Sequence, residues 1–139
     1  MNSERVAQCA VLAMLFELSS SPKPGNVDRC HDFADIGFNH FLISAVSAYP
    51  IFRKAAGGEG SAGSLILEAV QAWKSWNIAS NTHFGSLVLM IPIAIAAGRP
   101  GKLPGELADV LEKTAADDAI DFYSAFETAK ARVVEVDNF

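Results

Sequence analysis

The sequence predicts an all-α fold, and three of its features lead to that prediction. Apolar residues recur with a period near 3.6 in several segments, which is the spacing of one helix face. Proline, glycine and serine separate these segments, and they are the residues that end helices. No clear period-two alternation, the mark of a half-buried strand, occurs before the tail at 132–136. We therefore expect one compact domain, residues 1–139, of about six helices around a buried central helix.

The first two helices are predicted on either side of a proline-rich break. The first carries Val6, Ala10 and Met14 on one face and ends at about 19–21, because a residue before Pro22 is disfavoured in a helix. The second begins at about Asp35 and has the clearest apolar stripe in the sequence. Its members are Phe38, Phe41, Leu42, Ala45, Val46 and Tyr49.

Four more segments complete the predicted fold. Ser61 is a candidate N-cap for a third helix that carries Trp73 and Trp76 on its apolar face. The segment at about 82–97 is apolar nearly all round, which indicates a helix enclosed by neighbours. It is too short to cross a bilayer, so no membrane span is expected. Shorter helices follow at about 104–113 and 116–130, the last with Ala119, Phe122, Tyr123 and Phe126 inward.

Composition narrows the class of protein. The net charge is −5 and no block of lysine and arginine occurs, so nucleic acid is not an expected partner. Cys9 and Cys30 lack the spacing of zinc ligands, which favours a reduced, cytoplasmic protein, and Cys9 is expected to be a small buried residue. The apolar stretch at 6–18 is interrupted by Gln8 and Glu17, so no signal peptide is expected.

Charged residues are concentrated in the break at 22–35. Its two cations, Lys23 and Arg29, suit a polyphosphate, and Gly25 would let backbone amides approach the same oxygens. Two prolines restrict the backbone, so this segment loses less entropy on ordering than an ordinary loop. The break is therefore a candidate wall of a ligand site.

The same break contains three carboxylates, Asp28, Asp32 and Asp35, at offsets of 0, 4 and 7. If the second helix began early enough, they would share one face as oxygen ligands for Mg²⁺. The alternative is that Asp32 or Asp35 caps the second helix and that the two cations are solvated loop charges.

A second polar cluster, 81–85, opens the most apolar helix. In one interpretation Asn81 or Thr82 is only the N-cap, and His83 is a satisfied first-turn residue. In the other, the free amides of a buried helix start bind an anion such as phosphate, and Gly85 allows close approach.

A third polar cluster lies at 117–121. Thr114 followed by Asp117 resembles a capping box, which is the structural interpretation. Alternatively, Asp118 and Asp121 supply further carboxylates to a metal ion.

Taken together, these blocks resemble the triphosphoribosyl-dephospho-CoA synthase family in motif, order and spacing. The resemblance covers about residues 17–126 of this chain and corresponds to the N-terminal portion of the longer family members. The last block is similar to the form found in archaeal relatives. The blocks are Lys23–Arg29 followed by His31-Asp32 and Asp35, then Phe41–Ala45, Asn81–Gly85 and Asp117–Phe126.

This resemblance implies an all-helical transferase that moves the triphosphoribosyl group of ATP to the ribose 2′-hydroxyl of 3′-dephospho-CoA and releases adenine. The product is a prosthetic-group precursor for an acyl carrier protein. Such a reaction needs cations or Mg²⁺ for the phosphates, a base for the acceptor hydroxyl and an acid for adenine.

The resemblance also implies roles for individual residues. The catalytic residues would be Asp28, His31 and Asp32. Mg²⁺ would be held by Asp32, Asp35, Asp118 and Asp121. The nucleotide would be bound by Lys23, Gly25, Asn26, Arg29, Asn81, Thr82, His83 and Gly85.

Two other functions are compatible with the same residues. One is a Mg²⁺-dependent nucleotide or ADP-ribose hydrolase, and the other is a non-catalytic nucleotide-binding or interaction module. The expected partners are ATP and a dephospho-CoA-like small molecule, without nucleic acid or membrane. Apolar surface that further helices cover in the longer proteins predicts a homo-oligomer.

Overall fold

This computed structural model describes residues 1–132, and that part of the chain contains seven helices. Within that range an isolated bridge between Asp28 and His31 is the only β pairing, so the all-α prediction is confirmed. The weak alternation at 132–136 lies, from residue 133 on, outside the described residues. The helices are α1 (Ser3–Ser19), α2 (Phe38–Ser47), α3 (Tyr49–Ala56), α4 (Ala62–Lys74), α5 (Phe84–Ala97), α6 (Leu103–Glu112) and α7 (Ala116–Ala129).

The second predicted helix is two helices in the structure. It begins at Phe38 instead of Asp35, and it breaks at Ala48, where α2 ends and α3 starts. Pro50 causes this break, because proline has no N–H to continue the helical ladder and fits best in a first turn, where it stands in α3. The remaining boundaries agree with the predicted ones to within a few residues, including Ser61 as the N-cap of α4.

The main core forms between two pairs of packed helices, α1 with α3 and α4 with α7. Its largest fully buried side chains include Trp73 and Phe52. Helix α5 contacts α1, α3, α4 and α6, so it occupies a central position. The prediction that neighbours enclose it completely is wrong, because Leu89 is 70% exposed and Ile93 is also exposed. No helix of the described chain covers that side of α5.

Five other orientations differ from the predicted ones. Val46, a member of the predicted apolar stripe, is 59% exposed on α2. Trp76 is exposed because α4 ends at Lys74, before the position where the helix would turn Trp76 inward. Cys9 faces solvent on α1. Helix α7 buries Ala125 and Ala129, whereas Ala119 and Tyr123 are exposed. Phe122 and Phe126 are partly buried against the core, as predicted, and the small side chains of Ala125 and Ala129 suit close packing of α7 on α4.

A second, smaller apolar cluster attaches the break at 22–35 to the bundle. Val27 of the break and Ile36, which directly follows it, pack with Leu18 of α1 and Phe41 of α2. These four side chains are buried, so the break is a packed segment between two helices. The candidate site of the sequence analysis is therefore attached to α1 and α2 by apolar contacts.

Exposed apolar side chains occur on α1 and α5, and they include Leu12, Phe16, Leu89 and Ile93. The homo-oligomer expected from the sequence stays a prediction. None of the helices within residues 1–132 has the length and apolar character of a membrane span.

A glycine pair tests the packing of α3 against α5. A Cβ at Gly98 would overlap the Ala56 carbonyl at the end of α3, whereas a Cβ at Gly105 in α6 would meet open space. We expect Gly98→Ala to lower the free energy of unfolding by about 1–3 kcal/mol through overpacking. Gly105→Ala is expected to raise it by up to about 1 kcal/mol through helix propensity. Urea unfolding followed by circular dichroism measures both changes, and a neutral Gly98→Ala would contradict the close approach.

Candidate functional site

Asp28 organises the polar break between α1 and α2. Its Oδ2 accepts hydrogen bonds from the Ser21 hydroxyl at 3.1 Å and the Lys23 amide at 2.9 Å. Its Oδ1 accepts one from the Cys30 amide at 2.8 Å and lies 2.9 Å from His31 Nδ1. The residue is 1% exposed. The Cys30 amide, followed by the other donors, holds the pKa of this carboxyl well below its usual range, although burial opposes them. Asp28 is thus an ionised acceptor whose oxygens are already engaged.

The expected metal-binding face of Asp28, Asp32 and Asp35 is not formed. These residues precede α2, which begins only at Phe38. The chain instead turns around the Asp28 carboxylate and pairs Asp28 with His31. Asp32 Oδ1 accepts the Phe38 amide at 2.7 Å, so Asp32 bonds the first turn of α2. That is the capping role considered as the alternative from the sequence.

A cavity of about 810 Å³ lies between the break and the start of α5. Residues of two predicted polar clusters meet in it although they are more than 40 positions apart in sequence. Its lining includes five of the predicted site residues, Gly25, Asn26, Asp35, Asn81 and Thr82.

Local hydrogen bonds fix the polar lining of this cavity. Asn81 Oδ1 accepts the Phe84 amide at 3.1 Å, so Asn81 bonds the first turn of α5 at the cavity wall. Asp35 Oδ2 accepts the Ser80 hydroxyl at 3.1 Å, which links the break to the segment before α5. Gly25 has φ of +76°, a conformation that favours glycine. The cavity therefore combines amide, hydroxyl, carboxylate and open backbone groups.

Apolar side chains form the rest of the wall between α2 and the break. They are Phe33, Ile36 and Phe41. A wall with two aromatic rings beside polar groups is typical of a small-molecule site, in which apolar surface binds a flat ring and polar atoms fix its orientation.

A buried hydrogen-bonded chain leads from the cavity into the core. The Thr82 hydroxyl donates to Ser44 Oγ at 2.7 Å, and Ser44 Oγ lies 2.7 Å from His83 Nδ1. His83 is 3% exposed and packs edge-on against the Phe41 ring. Burial lowers the pKa of His83 to about 4, and Glu17 opposes this change while Lys23 adds to it. His83 is therefore a neutral imidazole at pH 7.

Two buried nitrogen atoms near this chain are the ring Nε2 of His83 and the ammonium Nζ of Lys23. Within the part of the chain that the structure describes, neither makes a directed hydrogen bond. Lys23 Nζ lies 2.7 Å from Glu17 Oε1, at the end of α1, as an ion pair. Glu17, an acid at the end of α1 where it opposes the helix dipole, thereby gains a cationic partner. Among residues 1–132, His83 Nε2 is thus buried without a partner, which is rare in folded proteins, and Trp73 Nε1 in the main core is a second such atom. Neither Lys23 nor His83 lines the cavity, and His83 is connected to it through Ser44 and Thr82.

Several predicted site residues lie elsewhere. Arg29 and His31 are exposed and do not line the cavity. Gly85 is exposed in the first turn of α5, and a Cβ there would meet nothing. The site roles expected for these three residues therefore stay predictions from the sequence.

The aspartates of α7 serve the packing of α7 on α4. Asp118 Oδ1 accepts the Gly63 amide at 2.7 Å, and Oδ2 accepts the Ala115 amide at 3.0 Å. Asp118 and Asp121 lie in the first two turns of α7, whereas the cavity is lined by Lys130 at its end, roughly 14–18 Å along the axis. The predicted shell of four carboxylates is therefore not assembled. Among residues 1–132 no three His, Cys, Asp or Glu side chains are placed to share a metal ion.

Two charged residues of the cavity were not among the predicted site residues. Lys130 and Arg132 bring positive charge to the cavity from the end of α7. In the sequence they follow a helix C-terminus, where cations are common because they stabilise the helix dipole. Ser44, which joins Thr82 to His83, was also missed as a site residue, although it lies in one of the motif blocks.

Comparison with known proteins gives one family. The family model for ATP:dephospho-CoA triphosphoribosyl transferase matches residues 3–138. Proteins of Streptococcus pyogenes strains Manfredo and NZ131, each named a probable 2-(5''-triphosphoribosyl)-3'-dephosphocoenzyme-A synthase, are 42% identical to this chain over 52 residues. That alignment covers 34% of this chain and 17% of the length of each relative. No solved structure shows a significant match.

Asp28→Asn tests the structural role of Asp28. At pH 7 we expect a lower melting temperature, since the neutral amide is a weaker acceptor for the same donors. The folded-state pKa of Asp28 lies below the unfolded value of about 3.9, so its stabilising effect is complete above that pH and is lost as pH falls towards the folded value. Thermal unfolding from pH 7 to pH 3 should show the wild-type advantage shrinking below about pH 4. Asp117→Asn, at an exposed position, is the control and should show no such change.

His83 is expected to make stability depend on pH between about 6.5 and 4. As pH falls through this window, the unfolded chain binds a proton that the buried folded-state ring does not. Stability should be complete above pH 6.5 and fall by about 3 kcal/mol towards pH 4. Urea unfolding at pH 7 and pH 4.5 measures this loss, which His83→Asn should remove and His40→Gln, at an exposed histidine of α2, should keep. Equal pH dependence in wild type and His83→Asn would contradict the neutral buried ring.

Proposed function

Because this chain belongs to the ATP:dephospho-CoA triphosphoribosyl transferase family, we propose that it moves the triphosphoribosyl group of ATP to 3′-dephospho-CoA or a related acceptor, with release of adenine. The product would be a prosthetic-group precursor for an acyl carrier protein. The observation that supports this proposal most is the meeting of Gly25, Asn26, Asp35, Asn81 and Thr82 in one cavity.

The cavity has the size and the surface for a nucleotide. Its volume of about 810 Å³ is within the usual range of small-molecule sites. Phe33, which is exposed, offers flat apolar surface to adenine, while Asn26 and Asn81 offer amides to its ring nitrogens or to the ribose. The backbone at Gly25 carries no side chain, so a ligand can approach it closely.

The proposed reaction breaks the bond between ribose C1′ and N9 of adenine and forms a bond from C1′ to the acceptor 2′-oxygen. The acceptor hydroxyl loses its proton, and the departing adenine takes up one. Positive charge develops at C1′ in the transition state, while the triphosphate must be held still. The cavity therefore has to provide a proton route, a surface for adenine and a site for phosphates.

The chain Thr82–Ser44–His83 provides the proposed proton route. Thr82 lines the cavity, and its hydroxyl connects through Ser44 Oγ to Nδ1 of the neutral His83 ring. The neutral ring has a nitrogen free to accept a proton, but burial opposes the charged ring, so His83 would act as the base only where the negative charge of a bound triphosphate raises its pKa from about 4. This assignment replaces Asp28 and Asp32 as the base, since their carboxylates bond backbone amides.

Asp35 is the carboxylate that we propose for Mg²⁺. Protein-bound Mg²⁺ keeps several waters and often uses one or two carboxylates together with substrate phosphates, which one cavity carboxylate fits. Bound there, the ion would neutralise charge on the triphosphate and orient it. We also propose that the reaction takes place in the cytoplasm, the compartment that suits the free thiols of Cys9 and Cys30.

Adenine release tests the function and the proton route together. The full chain is incubated with ATP, Mg²⁺ and 3′-dephospho-CoA, and adenine and the product are separated by chromatography. We expect adenine release only when the acceptor is present. Thr82→Val keeps the shape of the side chain but removes the hydroxyl, so kcat should fall about 100-fold or more with a small change in KM.

Thr114→Val is the matched control, because Thr114 is exposed and its hydroxyl donates to the Leu111 carbonyl outside the cavity. It should retain wild-type kcat. Adenine release or nucleotide cleavage without an acceptor would favour a hydrolase. Nucleotide binding without any turnover would favour a non-catalytic module.

A further inference from the structure

Two cations at the end of α7 line the same cavity as residues of the polar break. Lys130 follows the last residue of α7, and Arg132 is two positions further along. Both line the same space as Gly25 and Asn81. Within residues 1–132, no carboxylate lies within ion-pairing distance of either cation. This part of the cavity wall therefore presents positive charge.

A third cation lies beside this pair. Lys74 ends α4, and its ammonium group donates to the Ala79 carbonyl at 2.6 Å. Burial lowers the pKa of Lys74, and the positive charge of Lys130 lowers it further. Like charges close together are unfavourable, and a bound anion would relieve their repulsion.

The backbone of Lys130 is also unfavourable for a lysine. It has φ of +53° and ψ of 42°, the left-handed conformation that glycine adopts most easily at the end of a helix. A glycine here would end α7 with less strain, but it would carry no charge. The helix dipole accounts for a cation at this end of α7. It does not account for Arg132, which lies beyond the helix and reaches the same cavity.

We infer that Lys130 and Arg132 bind the triphosphate chain of the nucleotide, on the cavity wall formed by the end of α7. Arginine can donate two parallel hydrogen bonds to phosphate oxygens, and lysine adds a mobile point charge. Asp35, which lines the same cavity, would bind the cation that accompanies the phosphates. That the triphosphate belongs to a nucleotide rests on the proposed function. That this wall of the cavity is cationic rests only on the residues that line it.

Calorimetric titration of the full chain with inorganic triphosphate, and separately with MgATP, tests this inference. Lys130→Gly should weaken binding of inorganic triphosphate about tenfold or more. It should also raise the melting temperature by roughly 3 °C, since the left-handed strain is removed. A protein that becomes more stable while it loses anion binding cannot owe that loss to unfolding.

Three further variants complete the test. Arg132→Gln should weaken triphosphate binding about tenfold or more at an unchanged melting temperature. Lys130→Arg retains the charge and should retain binding to within a few-fold. Lys102→Gln removes an exposed cation that does not line the cavity and should leave both quantities unchanged.

The inference is overturned if the wild type fails to bind inorganic triphosphate, or if Lys130→Gly and Arg132→Gln bind it as the wild type does. It is also overturned if Lys102→Gln causes the same loss, which would indicate a general effect of net charge. Its failure can be distinguished from that of the proposed function. Adenine release with an unchanged KM for ATP in both cavity variants defeats the inference alone. Charge-dependent triphosphate binding without adenine release defeats the transferase alone.

Discussion

The carboxylate of Asp28 holds the candidate site in its shape. A buried, ionised carboxylate needs several donors, and the segment 21–31 provides them by folding its backbone around the two oxygens. This turn directs Val27 into the small apolar cluster with Leu18 and Phe41, and it leaves Gly25 at the cavity. A residue that resembles a catalytic acid in the sequence thus contributes by positioning its neighbours.

Behind the cavity, the structure departs from the usual rule that buried polar atoms are satisfied. Among residues 1–132, His83 Nε2 is buried without a hydrogen-bond partner, whereas the buried Lys23 Nζ forms an ion pair with Glu17. The burial that makes this ring atom costly also keeps the imidazole neutral, because it disfavours the charged form. Sites at which local rules of stability are broken are where function is expected in an otherwise well-packed protein.

The carboxylates show why residue type and spacing did not suffice to assign roles. Asp32 and Asp118 were expected as metal ligands, and both accept backbone amides at helix starts. In a sequence, an aspartate near the start of a helix is equally compatible with capping and with metal binding. Both roles need a carboxylate oxygen that can reach unpaired N–H groups or a cation. The neighbouring amides decide between the roles, and Gly63, 55 positions from Asp118 in sequence, supplies one of them.

By itself the sequence determined the all-α class, most helix boundaries and the two polar clusters that contribute to the cavity, because periodicity, proline and capping residues act over a few neighbouring positions. The motif blocks also identified the family, which the match over residues 3–138 confirmed. Tertiary structure alone decided that α5 has an open side, that Asp121 lies far from the cavity, and that Lys130 and Arg132 reach it. These are consequences of how distant helices pack, and packing depends on the shapes of both surfaces in each contact, which no local pattern contains.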